Sequence, residues 1–294
     1  MEVIPSASGI DGEYELAALP LTLRRTLSNI EIERLRRYAD LPMASYREAC
    51  PTCKQTGSFN TRLHDGTVVR CRCNCLEQWM LTRLLRESGI GNAYQRYSWN
   101  HVRAVNPEAL ETVRLYLSRL DEFIAAGIGL ILWSERNGTG KSLLSSLVLK
   151  EAMARGHSVY YTTLVEMADH HTASWSDKEH REWFQRRICG AKVVVIDEWG
   201  KENPGRANVI DELLDKVIRS RVANNRPTIL PTNLRPDQSG DVGGDFSRYQ
   251  AALMDLLVEQ CLQVEVSGQS YRSRVISDKI NDMNEQVVYP VVIR

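Results

Sequence analysis

Two short runs, GIGLILW (127–133) and VVVIDEWG (193–200), constrain this chain more than anything else in it. Each is apolar at consecutive positions, the pattern of a strand buried on both faces rather than half-exposed. A strand of that kind needs helices above and below its sheet, and helical patterns stand between the runs. Asn106-Pro107-Glu108 opens a helix to about Ala126, with asparagine as cap and proline in the first turn. KSLLSSLVLKEAMARG is a second helix, stopped by Gly156. HSVYYTT (157–163) is a strand rich in β-favouring residues, and helical segments cover roughly 164–188. ANVIDELLDKVIRSRVAN is a helix, RPTILPTN (226–233) a strand with a polar end, and LQVEVSG (262–268) a fifth strand. The alternation predicts an α/β domain, a parallel sheet with helices on both faces.

The segment between the first strand and its helix reads SERNGTGKS, and Gly138-Thr139-Gly140-Lys141-Ser142 is the end of a phosphate-binding loop. Glycines let the backbone approach phosphate oxygens, and the N–H groups and dipole of the following helix favour negative charge there. Asn137, Gly138, Thr139, Gly140, Lys141, Ser142 and Leu143 are the candidate nucleotide-binding residues. In such a loop Lys141 reaches the β- and γ-phosphates of ATP and Ser142 ligates Mg²⁺. The glycine that usually opens the loop is replaced by Glu135, whose carboxylate is expected to point away from the phosphates, because facing them it would repel.

Val193 to Ile196 deliver Asp197 and Glu198 to the carboxyl end of a strand, where ligands of parallel sheets bind. Asp197 suits Mg²⁺, through water or directly, and Glu198 suits orienting and deprotonating an attacking water. Thr232 and Asn233 end the next strand beside them, where an amide can hold that water or touch the γ-phosphate.

Of seven cysteines, five fall between Cys50 and Cys75, as C-x₂-C, seventeen residues, then C-x-C-x-C. Clustering of this kind in a cytosolic chain favours zinc over disulfides. Cys50 and Cys53 form one half of the site and Cys71 and Cys73 the other, with Cys75 an alternative and His64 a competing ligand. Cys189 and Cys261 read as ordinary buried cysteines, and His170 and His171 as a solvated helix face. LEQWMLTRLLRESGIG, after the cysteines, is an amphipathic helix ended by Gly89 or Gly91.

The balance of 37 Lys and Arg against 37 Asp and Glu gives no global hint of a nucleic-acid partner, so one would need a local basic patch. VVRCRC, LTRLLRESGIGNAYQRYSW and YRSR place arginines near tyrosines and Trp99, a mixture that suits single-stranded DNA. The N-terminal residues lack a signal pattern, and the longest apolar run, Phe123 to Trp133, is too short to span a bilayer. The reading is a cytoplasmic protein without a membrane partner.

With these motifs together, the sequence resembles the DnaC/IstB family of AAA+ ATPases, over about residues 46–280. CPTCKQTGSF followed by CRCNCLEQWMLTRLLRESGIGNAYQRYSW is similar to the metal-binding N-terminal part of DnaC/DnaI-type loaders, including those of phages. NGTGKSLL, VVVIDEWGKE and RPTILPTNLRPDQ resemble Walker A, Walker B and sensor 1, and VEVSGQSYRSR the family's last strand and its Ser-Tyr-Arg turn. The resemblance implies an AAA+ P-loop NTPase domain (101–280) preceded by a small helical zinc-binding domain (1–100) that contacts the helicase, and followed by a tail (281–294). It implies ATP hydrolysis, a nucleotide-dependent homo-oligomer, and deposition of a DnaB-like hexameric replicative helicase on single-stranded DNA. The alternatives are an ATP-binding adaptor with little turnover and an IstB-like transposition helper. Arg272 matches the family arginine near the nucleotide. Leu256 stands where the family commonly carries an arginine finger; Arg248, about two helical turns earlier, serves only if the loop geometry shifts.

Overall fold

The computed structural model describes residues 3–4, 53, 56, 58–62, 65–73, 83–103, 105–199, 207–236 and 251–284. Arg248 and the ligand candidates Cys50, His64 and Cys75 lie outside the described residues. The chain divides into two compact units, Met1–Glu87 with Gln286–Val291, and Ser88–Glu285 with Val292–Arg294.

In the first unit, β1 (Val3–Ile4), β2 (Ser58–Arg62) and β3 (Val68–Arg72) form an antiparallel sheet in that order. Phe59 pairs with Cys71, and Gly66 occupies the turn between β2 and β3 with φ +86°. Cys53 and Cys73 are buried on either side of this hairpin in sequence. No group of three or more metal-ligating side chains occurs among the described residues.

The second unit is the predicted α/β domain. It begins with α1 (Asn92–Arg96), α2 (Pro107–Ser118) and α3 (Leu120–Ala126), followed by β4 (Gly129–Trp133) and α4 (Lys141–Ala154). Next come β5 (Val159–Thr163), α5 (Leu164–Ala173), α6 (Lys178–Phe184), a π-helical turn (Gln185–Cys189) and β6 (Val193–Asp197). The chain continues through α7 (Ala207–Ala223), β7 (Thr228–Thr232), α8 (Ala251–Gln260), β8 (Cys261–Glu265) and α9 (Arg272–Asn284). All five strands of this sheet run parallel, in the order β5-β6-β7-β4-β8.

Alternation along the strands divides the core in two. Ile131, Val194, Ile196 and Leu230 pack with Leu164, Met167, Phe184, Leu213, Val217 and Leu253 on one side. Helix α4 packs against β4, β5, β6 and β7. Val193 to Ile196 are fully buried, and each such side chain contributes roughly 1.5–3 kcal/mol. Leu256 is half-buried against the same core.

Three details depart from the sequence reading. The helix expected over 106–126 is interrupted at Arg119 (φ −116°, ψ 27°). The interruption allows Tyr116 and Phe123 to stack with ring centroids 4.9 Å apart. His170 and His171 are half-buried rather than solvated. The His170 ring lies 4.2 Å from Trp183, and His171 packs near Trp175 and Phe184. Burial lowers both imidazole pKa values, and the neighbouring His180 adds to the effect on His170. Lys150, on the apolar helix α4, is fully buried, and its ammonium donates to the carbonyls of Gln95 (3.0 Å) and Tyr97 (2.7 Å). Burial lowers its pKa to about 8.

Arg221 is likewise fully buried. Its guanidinium donates to the carbonyls of Ile188, Ala191, Lys192 and Pro227 and to Thr228 Oγ1, at 2.7–3.3 Å. A lysine has no planar fork and cannot reach all five acceptors. Arg221→Lys is expected to lower stability by about 3 kcal/mol, read as a lower urea midpoint, because buried carbonyls are left unbonded.

Candidate nucleotide-binding site

The site forms where the sheet ends. Strand β4 hands the chain to residues 134–140, which curl back so that Lys141 opens α4. Gly138 has φ +80°, and a Cβ on it would lie 2.3 Å from Ser270 Oγ. The loop therefore needs glycine here both for its turn and for the close approach of residues 270–272. Tyr271 N–H donates to the Gly138 carbonyl at 3.1 Å. This brings Arg272, exposed at the start of α9, beside the loop as the resemblance implied. Helix α4 is capped by Gly140, which supplies no side-chain acceptor to its first turn.

Each polar group of the loop has a definite place. Lys141 is buried, and its ammonium donates to the carbonyls of Ser134 (3.2 Å) and Arg136 (2.9 Å). Ser142 Oγ donates to Asp197 Oδ2 at 2.7 Å, joining the start of α4 to the end of β6. Asn233 Nδ2 donates to Asn137 Oδ1 at 2.9 Å, joining the end of β7 to the loop. Leu143 is half-buried, and Glu135 is exposed.

Asp197 is nearly buried and accepts from three directions. Besides Ser142, the Tyr161 hydroxyl donates to Oδ2 at 2.5 Å, and the Glu198 N–H donates to Oδ1 at 2.6 Å. Glu198 has φ +64°, a left-handed conformation that costs a non-glycine residue on the order of 1 kcal/mol. Trp199 then returns to the sheet and forms a parallel bridge with Thr232. Tyr94 of α1 also reaches this cluster. Its phenol pKa is raised by burial first and by the charge of Asp197 second.

Lys141, Ser142, Asp197, Glu198, Asn233 and Arg272 thus lie at one end of the sheet. Sequence reasoning missed Tyr161, Tyr94, Ser134 and Ser270. Tyr161 lies in a run that reads only as β-favouring, and its relation to Asp197 arises from strand pairing. The donor set fits a nucleotide polyphosphate with Mg²⁺. A cation and helix N–H groups face the loop, a hydroxyl and a carboxylate stand together beside it, and Thr139 Oγ1 is buried without a hydrogen-bond partner.

The family described as IstB-like ATP binding protein matches residues 91–278. The replicative helicase loader DnaC of Escherichia coli is 26% identical over 203 residues, covering 66% of this chain and 77% of the loader. An ATP-binding protein of an insertion sequence from Geobacillus stearothermophilus is 29% identical over 147 residues, 49% of this chain and 55% of that protein. A crystal structure of the DnaC helicase loader superposes with a TM-score of 0.51 at 19% identity, covering 60% of this chain and all of that one. The parallel sheet and the loop after β4 have the AAA+ P-loop fold of that structure. The family match spans every motif brought together at the end of the sheet, and the chain belongs to the IstB-like ATP-binding family.

Proposed function

We propose that this chain is an ATPase of the helicase-loader type. In its ATP-bound form it engages a DnaB-like hexameric helicase and assists its placement on single-stranded DNA. The observation that carries the reading is the convergence of phosphate loop, Asp197–Glu198 and Asn233 in a chain similar to DnaC over 77% of that loader's length. In this reading the backbone of Asn137–Leu143 and the Lys141 ammonium bind the phosphates. Ser142 and Asp197 hold Mg²⁺, which neutralises phosphate charge when bound. Glu198 takes a proton from the attacking water, Asn233 positions that water, and Arg272 contacts the nucleotide. The region before the AAA+ domain carries the helicase contact, and copies associate when nucleotide is bound.

A second reading is favoured by Leu256, which packs into the core where an arginine finger would stand. The chain is then an ATP-dependent adaptor with little turnover, since such a finger is worth about 10³–10⁵ in rate. A transposition helper is the third reading, supported by the similarity to the insertion-sequence protein, and its gene neighbourhood would separate it from a loader. Cys50 and Cys53, with two of Cys71, Cys73 and Cys75, are the proposed ligands of one structural zinc.

Lys141→Ala is expected to abolish binding of a fluorescent ATP analogue and ATP-dependent capture of the cognate helicase in a pull-down. Capture that ignores ATP and this substitution would sink the loader reading. Steady-state turnover measured with helicase and single-stranded DNA separates the first two readings. Stimulated turnover that falls by about 10²–10⁴ in Glu198→Gln supports the ATPase, and tight binding without turnover supports the adaptor. Elemental analysis of the purified chain is expected to find about one zinc per chain, and none would remove the cysteine assignment.

A further inference from the structure

The Asp197 carboxylate takes its donors from three separate elements, and one of them belongs to no motif. Each carboxylate oxygen has two lone pairs. Oδ2 is filled by Ser142 at 2.7 Å and Tyr161 at 2.5 Å, and Oδ1 has one place taken by the Glu198 N–H at 2.6 Å. Ser142 and Glu198 sit on segments that the proposed chemistry itself engages. Tyr161 sits on β5, whose backbone pairs in register with β6. Thr163 is paired with Asp197 and Tyr161 with Val195, so the Tyr161 phenol extends forward along the sheet to the carboxylate at the strand's end. The ring is 8% exposed, and the Tyr161 N–H is held by the Ser88 carbonyl at 2.7 Å.

We propose that Tyr161 is a positioning residue for Mg²⁺ at the nucleotide site, holding Asp197 in the orientation that receives the metal when Ser142 turns its oxygen towards it. The inference rests on the ATP reading above. Partners of metal-binding side chains act by fixing the geometry of the group that meets the ion, and their loss typically weakens metal binding by about 10–100-fold. A phenol supplies this fixed direction because its ring is packed. It also leaves one acceptor place on Oδ1 for the metal or its water.

The test measures binding. Affinity for a fluorescent ATP analogue is titrated against Mg²⁺, and separately in excess chelator, for the unaltered protein, Tyr161→Phe and Tyr160→Phe. Tyr160 precedes Tyr161 on β5, and its ring packs edge-on against Trp183 at 5.4 Å, so its variant controls for disturbance of the strand. In Tyr161→Phe the Mg²⁺ concentration giving half of the metal-dependent tightening is expected to rise about tenfold. Affinity in chelator and the melting temperature should stay close to those of the unaltered protein. Tyr160→Phe should leave the Mg²⁺ requirement in place. An unchanged Mg²⁺ requirement in Tyr161→Phe overturns this inference alone. So does an equal loss of affinity with and without metal, or the same shift in Tyr160→Phe. If the unaltered protein binds no nucleotide, the ATP reading falls and this inference falls with it.

Discussion

The Arg221 guanidinium is the interaction on which the second unit depends. Parallel strands enter their sheet from loops, so the carbonyls just before each strand need partners of their own. In this chain the carbonyls of Ala191 and Lys192 precede β6, and that of Pro227 precedes β7. A π-helical turn adds the Ile188 carbonyl. One planar cation satisfies all four and also bonds Thr228. Removing an arginine from water costs several kcal/mol, and five hydrogen bonds to neutral groups are what offset it. Even buried, it keeps its charge at neutral pH, its pKa lowered to about 9 by desolvation. The two strands fixed at their starts by Arg221 are those that carry Asp197 and Asn233 at their ends.

At the opposite end of those strands the polar groups are already bonded to one another. Lys141 holds main-chain carbonyls of its own loop, Ser142 holds Asp197, and Asn233 holds Asn137. In the proposed ATP reading, polyphosphate binding exchanges hydrogen bonds, and the Lys141 ammonium would move from neutral carbonyls to anionic oxygens, a stronger bond. The arrangement also keeps Lys141 from being a buried ammonium without acceptors when no phosphate is present.

Motifs whose chemistry is local were legible in the sequence. Gly138 to Ser142 must lie between a buried strand and a helix, and the strand ending in Asp197 must reach the same edge as the one ending in Thr232. Five strands, and the helices between the first four of them, followed from hydrophobic runs and caps. What the sequence did not reveal depends on distant pairing. Tyr161 meets Asp197 through register, and Arg221 is one arginine of a helix whose charges otherwise look solvated. Lys150 faces the carbonyls of a segment far earlier in the chain, and Ser270 nests on Gly138 only after β8 is in place. His170 and His171 looked exposed because helical spacing does not disclose that Trp183 and Phe184 lie over them. The break at Arg119 was likewise invisible, since Asn106-Pro107 at one end and Gly127 at the other mark a single helix.

Strand β5 is an edge of the parallel sheet, and an open edge is a template for another chain. Ser88 and Gly89 lie against it. Besides the bond from the Tyr161 amide to the Ser88 carbonyl, Gly89, with φ +74°, comes so near that a Cβ would stand 2.1 Å from the Tyr161 carbonyl oxygen. At that point the border of the sheet is closed by the chain's own backbone, and glycine is the residue that permits the closure. Copies of this protein cannot add to one another by continuing the sheet across Tyr161.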